Sequence, residues 1–167
     1  MLEIKDLLYL SKKQEELDEY IMTSKKLSLN EEIDNNKIIA LIVEISEFIN
    51  ECRAFKYWSN KPSSDKSIVL EEFVDSLHFI ISIGNDIVFN FSNYKYNAWD
   101  KKDINYWSIE MYKSIMSFQG FRSHKNYSSL LNTFMNCMNI LDFSSDDVLN
   151  SYNKKNETNF KRQDNNY

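Results

Sequence analysis

Residues 38–75 read IIALIVEISEFINECRAFKYWSNKPSSDKSIVLEEFVD, and they constrain the architecture more than any other part of the chain. Two apolar segments of helical period each carry acidic residues three apart, Glu44 with Glu47 and Glu72 with Asp75. Residues at i and i+3 share one face of a helix. Between the segments lies a short connection with Lys56, Tyr57, Trp58, Lys61 and the only proline, Pro62. If the two helices pack antiparallel, four carboxylates converge, which like charges tolerate only around a cation. The stretch hints at a divalent metal site between antiparallel helices.

Spacing does not single these pairs out, because the chain has seven acidic i,i+3 pairs. Their surroundings do. At about 100° per residue, Val69, Leu70, Phe73, Val74, Leu77, Ile80 and Ile81 fill one broad arc. Ile68, Phe79 and Ile83 fall opposite, interleaved with Glu72 and Asp75. A helix apolar nearly all round is a buried helix, and buried carboxylates need a partner. That partner is a metal, or a Lys or Arg on another helix. Glu44, Glu47 and Glu51 share a narrow arc opposite Ile38, Ile42, Ile45 and Ile49, which also suits the solvated face of an amphipathic helix.

Two glycines and one proline in 167 residues leave few chain breakers. Such a chain predicts a single all-α domain over residues 1–167, a helical bundle of about five to six helices with short connections. A net charge of −5 without a basic cluster argues against nucleic-acid binding. No apolar run reaches the length of a membrane span, and MLEIKDLLYL lacks the marks of a signal peptide. A cytoplasmic protein is expected. Cys52 and Cys137 read as reduced, buried core residues, with neither zinc-ligand nor disulfide spacing.

Residues 4–26 form an apolar stripe through Leu7, Leu10, Leu17 and Ile21, with Gln14 and Asp18 one turn apart beside it. That pair fits plain surface polarity, or an amide and carboxylate reading the edge of a planar base. Asp34 or Asn35 is the expected N-cap of the second helix, and Ser64 or Asp65 that of the third, over residues 66–89. His78 lies one turn after Asp75 and borders the carboxylates as a structural residue or a hydrogen-bonding partner for substrate. Trp58 is either a core plug or a lid over a ligand. Residues 90–102 read as an exposed loop, followed by helices over 104–118 and 126–141 whose Met and aromatic stripes are core or interface. The closing SYNKKNETNFKRQDNNY has the composition of a frayed tail. Yet Tyr152, Lys155, Asn159 and Arg162 form one helical stripe, with two cations beside an amide. Such a stripe can clamp phosphate oxygens and, if mobile, act as a lid over residues 150–167.

Four pieces together resemble one family: QEELD (14–18), VEISEFINE with FKYWS (43–59), LEEFVDSLHF (70–79) and YNKKNETNFKRQ (152–163). In order and spacing they are similar to the all-α dimeric dUTPases of phages, some bacteria and trypanosomatids, within the MazG-like all-α nucleotide pyrophosphohydrolases. The phage-type enzymes are the nearest look-alikes. The resemblance implies hydrolysis of dUTP, and of dUDP, by a homodimer in the cytoplasm, the host's if the chain is phage-encoded. It implies Mg²⁺ at Glu44, Glu47, Glu72 and Asp75, with Glu47 orienting or deprotonating the attacking water. Gln14, Asp18, Trp58 and His78 would surround uracil and deoxyribose; Lys56, Lys155, Asn159 and Arg162 would hold phosphate oxygens. Residues 90–142 correspond to a variable helical insert. Two departures stand out: Asn166-Tyr167 replaces a closing Gly-Tyr, and Asp18 stands where other branches carry Asn. The competing readings are a pyrophosphohydrolase for dCTP or a modified nucleotide, and a helical interaction module that binds a repressor protein.

Overall fold

The computed structural model describes residues 1–100 and 103–165, so the Asn166-Tyr167 ending lies outside the described residues. All regular structure among them is helical. The helices are α1 (Ile4–Ser24), α2 (Glu31–Cys52), α3 (Lys66–Asp86), α4 (Ile104–Gly120), α5 (His124–Ile140) and α6 (Ser145–Asp164). One 3-10 turn, Phe91–Asn93, sits between α3 and α4. The expected all-α bundle is what the chain forms.

Helix α3 lies at the centre, against α1, α2 and α6. It meets α5 through stacked Phe73 and Phe134 rings, 4.5 Å apart, and through the Tyr127 hydroxyl, which donates to the Ile80 carbonyl at 2.8 Å. Leu77, Ile80 and Ile81 are fully buried, and so nearly are Ser76, His78 and Ser82 on the other flank. The reading of α3 as apolar nearly all round holds, with Ile68 an exposed exception near its start. Each fully buried aliphatic side chain here contributes about 1.5–3 kcal/mol.

Helices α2 and α3 run antiparallel: Lys37 pairs with Asp86, Phe48 packs on Phe73, and Ser64 bonds Glu51. Helix α6 runs parallel to α1. Ser145 bonds the Met1 carbonyl at 2.6 Å, Tyr9 bonds Asn153 at 2.8 Å and Tyr20 bonds Asp164 at 2.5 Å, every pair 144 residues apart. A constant offset keeps the two helices in register over their whole length. Val148, Tyr152 and Asn156 form the buried face of α6. Residues 145–164 are therefore a docked helix, which corrects the frayed-tail alternative.

The α4–α5 hairpin belongs to the common core, with Trp107, Met111, Ile115 and Phe118 facing Tyr127, Leu130, Leu131 and Phe134, all fully buried. The segment before α4 is held more closely than an exposed loop. The Asn132 and Asn136 side-chain oxygens accept from the Asn97 and Trp99 backbone amides at 2.8 Å, and Phe91 and Tyr94 are buried. Two caps also differ from expectation. Asn30 starts α2, its side chain accepting from the Ile33 amide at 3.0 Å, while Asp34 and Asn35 bind Arg122 at 2.8 and 3.0 Å. Helix α3 starts at Asp65 as read but ends at Asp86, because Val88 turns into the left-handed region (φ 54°).

Gly84 is where the core admits no side chain. A Cβ there would lie 2.2 Å from the Tyr127 hydroxyl, which its bond to Ile80 holds in place, and 2.8 Å from Phe91. Gly84→Ala should lower stability by about 3 kcal/mol, read as a reduced urea midpoint at constant slope. An unchanged midpoint would show that the tyrosine can withdraw.

Candidate active site

The antiparallel α2–α3 pair brings Glu44, Glu72 and Asp75 together, each with an oxygen within 4.8 Å of the others. All three are half-buried at the rim of a cleft, less enclosed than the sequence suggested. Burial pushes the Glu44 carboxyl up to about 7, and the charges of Asp75, Glu47 and Glu72 add to it. Glu72 shifts the same way, through burial first and then Asp75 and Glu47. Burial also raises Asp75, against the opposing hydrogen bond from Lys155 at 2.5 Å. Burial alone would lower Lys155, but Asp75 and Glu71 outweigh it and raise its pKa.

A cation from another helix is thus present, one of the two partners the sequence allowed. It offers one positive charge against three carboxylates, so the cluster stays net negative. An all-oxygen donor set of this size suits a hard divalent cation. Glu47, one turn from Glu44, is exposed and lies outside this group of three, yet close enough to raise both Glu44 and Glu72.

Glu44 and Asp75 form part of the wall of a cavity of about 440 Å³. Gln14, Asp18, His78 and Phe79 line it as well, and α6 adds Lys155, Asn159 and Arg162. The polar residues from α1, α3 and α6 form one hydrogen-bonded network. The Gln14 amide nitrogen donates to Asp18 at 2.8 Å, and the Ser82 hydroxyl donates to the other Asp18 oxygen at 2.6 Å. The Gln14 carbonyl oxygen accepts from the Tyr152 hydroxyl at 2.7 Å and lies 2.8 Å from His78 Nδ1.

A carboxylate only accepts, so Asp18 fixes which end of the Gln14 amide faces it. The Gln14 oxygen then requires a proton on His78 Nδ1. Burial, reinforced by the charge of Lys155, lowers the His78 pKa to about 3, so the ring is neutral. Nε2 is left with a lone pair, buried, and without a hydrogen-bond partner among the described residues. The ring is clamped by stacking on Tyr152, with centroids 4.0 Å apart.

Most residues singled out in the sequence meet here; Glu72 and Glu47 stand beside the cavity wall, next to Glu44 and Asp75, while Lys56 and Trp58 belong to neither the cavity nor the carboxylate cluster. Lys56 bonds Asn50 at 2.5 Å and lies over the Phe55 ring, while Trp58 is 65% exposed beside Phe55 and Tyr57. Trp58 is therefore no core plug. The sequence reading passed over Lys37, Asn36, Ser82 and Phe79, all in the cavity wall. The signal was there for two of them: Ser82 follows His78 by one helical turn, and Lys37 precedes Glu44 by two.

No curated protein matches the chain. A family model described as dUTPase matches residues 6–167, nearly its whole length. This chain therefore belongs to the all-α type of the dUTPase family, whose activity is that of a dUTP diphosphatase.

Proposed function

We propose that the chain hydrolyses dUTP to dUMP and pyrophosphate with Mg²⁺, held by Glu44, Glu72 and Asp75 with Glu47, and that it also accepts dUDP. The observation that carries this reading is one cavity lined by metal-type carboxylates, by phosphate-type cations on α6 and by a buried polar network. A divalent ion there would neutralise phosphate charge and acidify water. Glu47, exposed and one turn from Glu44, orients the attacking water and takes its proton. Lys155 leaves Asp75 for a phosphate oxygen once a nucleotide binds, joining Asn159 and Arg162. Phosphoanhydride hydrolysis asks for alignment and charge stabilisation more than a covalent partner.

The lone pair on His78 Nε2 accepts the uracil N3–H. Cytosine has its own lone pair at N3 and meets repulsion, a kind of polar mismatch that discriminates strongly. Pyrophosphate release should therefore favour dUTP over dCTP and dATP, which lack that N–H; thymine keeps it, so dTTP tests the fit around the ring instead. Equal turnover of dUTP and dCTP would overturn the base reading and leave the metal site standing. For the α6 clamp, Arg162→Ala should lower kcat/KM roughly 10- to 100-fold with little change in Tm; an unchanged rate removes Arg162 from the clamp.

We further propose a homodimer. Ile39 and Val43 on α2 and Ile109 and Met116 on α4 are exposed, and the two helices are tied by Ser46 to Tyr112 at 2.9 Å. This face suits a second copy, to be read by sedimentation. Lys56 and Trp58 reach a nucleotide only through movement of their connection or from a neighbouring copy.

A further inference from the structure

Lys37 lines the cavity, and its ammonium is engaged by Asp18 and Asp86. Its side chain, 15% exposed, rises from α2 between α1 and α3. Its ammonium lies 2.6 Å from Asp86 and 3.7 Å from the Asp18 oxygen that Ser82 also contacts. At 3.7 Å the link to Asp18 is an ion pair more than a hydrogen bond, so its action there is electrostatic. Without Lys37, two carboxylates would face each other across the vacated space.

We propose that Lys37 is a positioning residue for base selection: it holds Asp18 where it fixes the Gln14 amide, and through that amide the proton on His78. The inference rests on the base reading above, in which Nε2 accepts from uracil. Each step follows from the donor and acceptor inventory. Asp18 accepts the Gln14 N–H, the Gln14 oxygen accepts from Nδ1, and Nε2 keeps its lone pair. If Asp18 is displaced by Asp86, the Gln14 amide can turn and offer nitrogen to His78. The imidazole proton then moves to Nε2, and a donor replaces the acceptor in the cavity. That donor suits cytosine N3 instead of uracil N3–H.

The test is the His78 tautomer, read from ¹⁵N shifts of the full chain, beside the selectivity of variants. The wild type should carry its proton on Nδ1; a proton on Nε2 overturns the proposal. Lys37→Met should shift the proton toward Nε2 and cut the dUTP-to-dCTP ratio of kcat/KM roughly 10-fold, mainly through KM. Lys37→Arg should restore both. If Lys37→Met fails to fold, Lys37→Gln, which also lacks the charge but keeps a polar group beside Asp86, carries the same expectation. A lowered Tm with tautomer and ratio unchanged would make Lys37 merely structural and sink the idea. A wild type that does not prefer dUTP would instead defeat the base reading, while the tautomer shift in Lys37→Met would still decide whether Lys37 acts through Asp18.

Discussion

Glu47→Gln should reduce pyrophosphate release from dUTP by roughly a thousandfold or more while leaving the Tm nearly where it was. The two halves of that result have separate causes. Glu47 is exposed, and an isosteric amide at an exposed site changes stability by no more than about 0.5 kcal/mol. In the proposed reaction this carboxylate takes a proton from the attacking water, so the amide removes the base while keeping its shape. Glu72→Gln gives the contrast. It removes charge from a half-buried cluster, so activity falls while the metal-free protein becomes more stable. Steady-state rates and thermal melts on the two variants separate chemistry from packing. A Glu47→Gln enzyme with near-wild-type kcat would remove Glu47 from the reaction.

The metal-free protein should lose stability as pH rises through the neutral range, and Mg²⁺ should restore it most at high pH. The sign follows from Glu44, raised from 4.5 to about 7 by burial and by its acidic neighbours. A carboxyl with a raised pKa favours the fold while protonated. That stability is complete below about 4.5, the unfolded value, and is lost as pH climbs through about 7. Glu72 and Asp75 shift in the same direction and deepen the loss. Because these groups are partly solvated, the total effect is on the order of 1–2 kcal/mol. Mg²⁺ requires the ionised carboxylates and stabilises by mass action. The rise in Tm on adding Mg²⁺ should therefore be larger near pH ~8 than near pH ~6, and Glu44→Gln should flatten the pH dependence. Calorimetric scans with and without Mg²⁺ at both pH values measure this. No response to Mg²⁺ at either pH would leave the cluster without a metal.

Helical periodicity made most of the architecture legible. Helix α3 was readable because apolar residues surround Glu72 and Asp75 on nearly all sides, a local property of one segment. The α6 stripe of Lys155, Asn159 and Arg162 was readable for the same reason, and those residues line the cavity. Boundaries were less clear. Asp34 and Asn35 have capping chemistry, but Arg122 draws them into a contact between α2 and the α4–α5 turn, and Asn30 takes the cap. Residues 90–100 looked exposed because their partners, Asn132 and Asn136, lie far along the chain.

The sequence by itself determined the helix class, the buried acidic helix α3 and the cationic face of α6, since each follows from the 3.6-residue period within one segment. Only the tertiary structure decided which faces meet. It set α6 parallel to α1 at a fixed offset, so that Tyr152 lies beneath His78 and bonds Gln14. It placed Lys37 between Asp18 and Asp86, and left Trp58 and Lys56 outside the cavity. Periodicity tells which side of a helix avoids water; the neighbour on that side is chosen by packing among residues distant in sequence, and the hydrogen-bonded network around Gln14 is made of such neighbours.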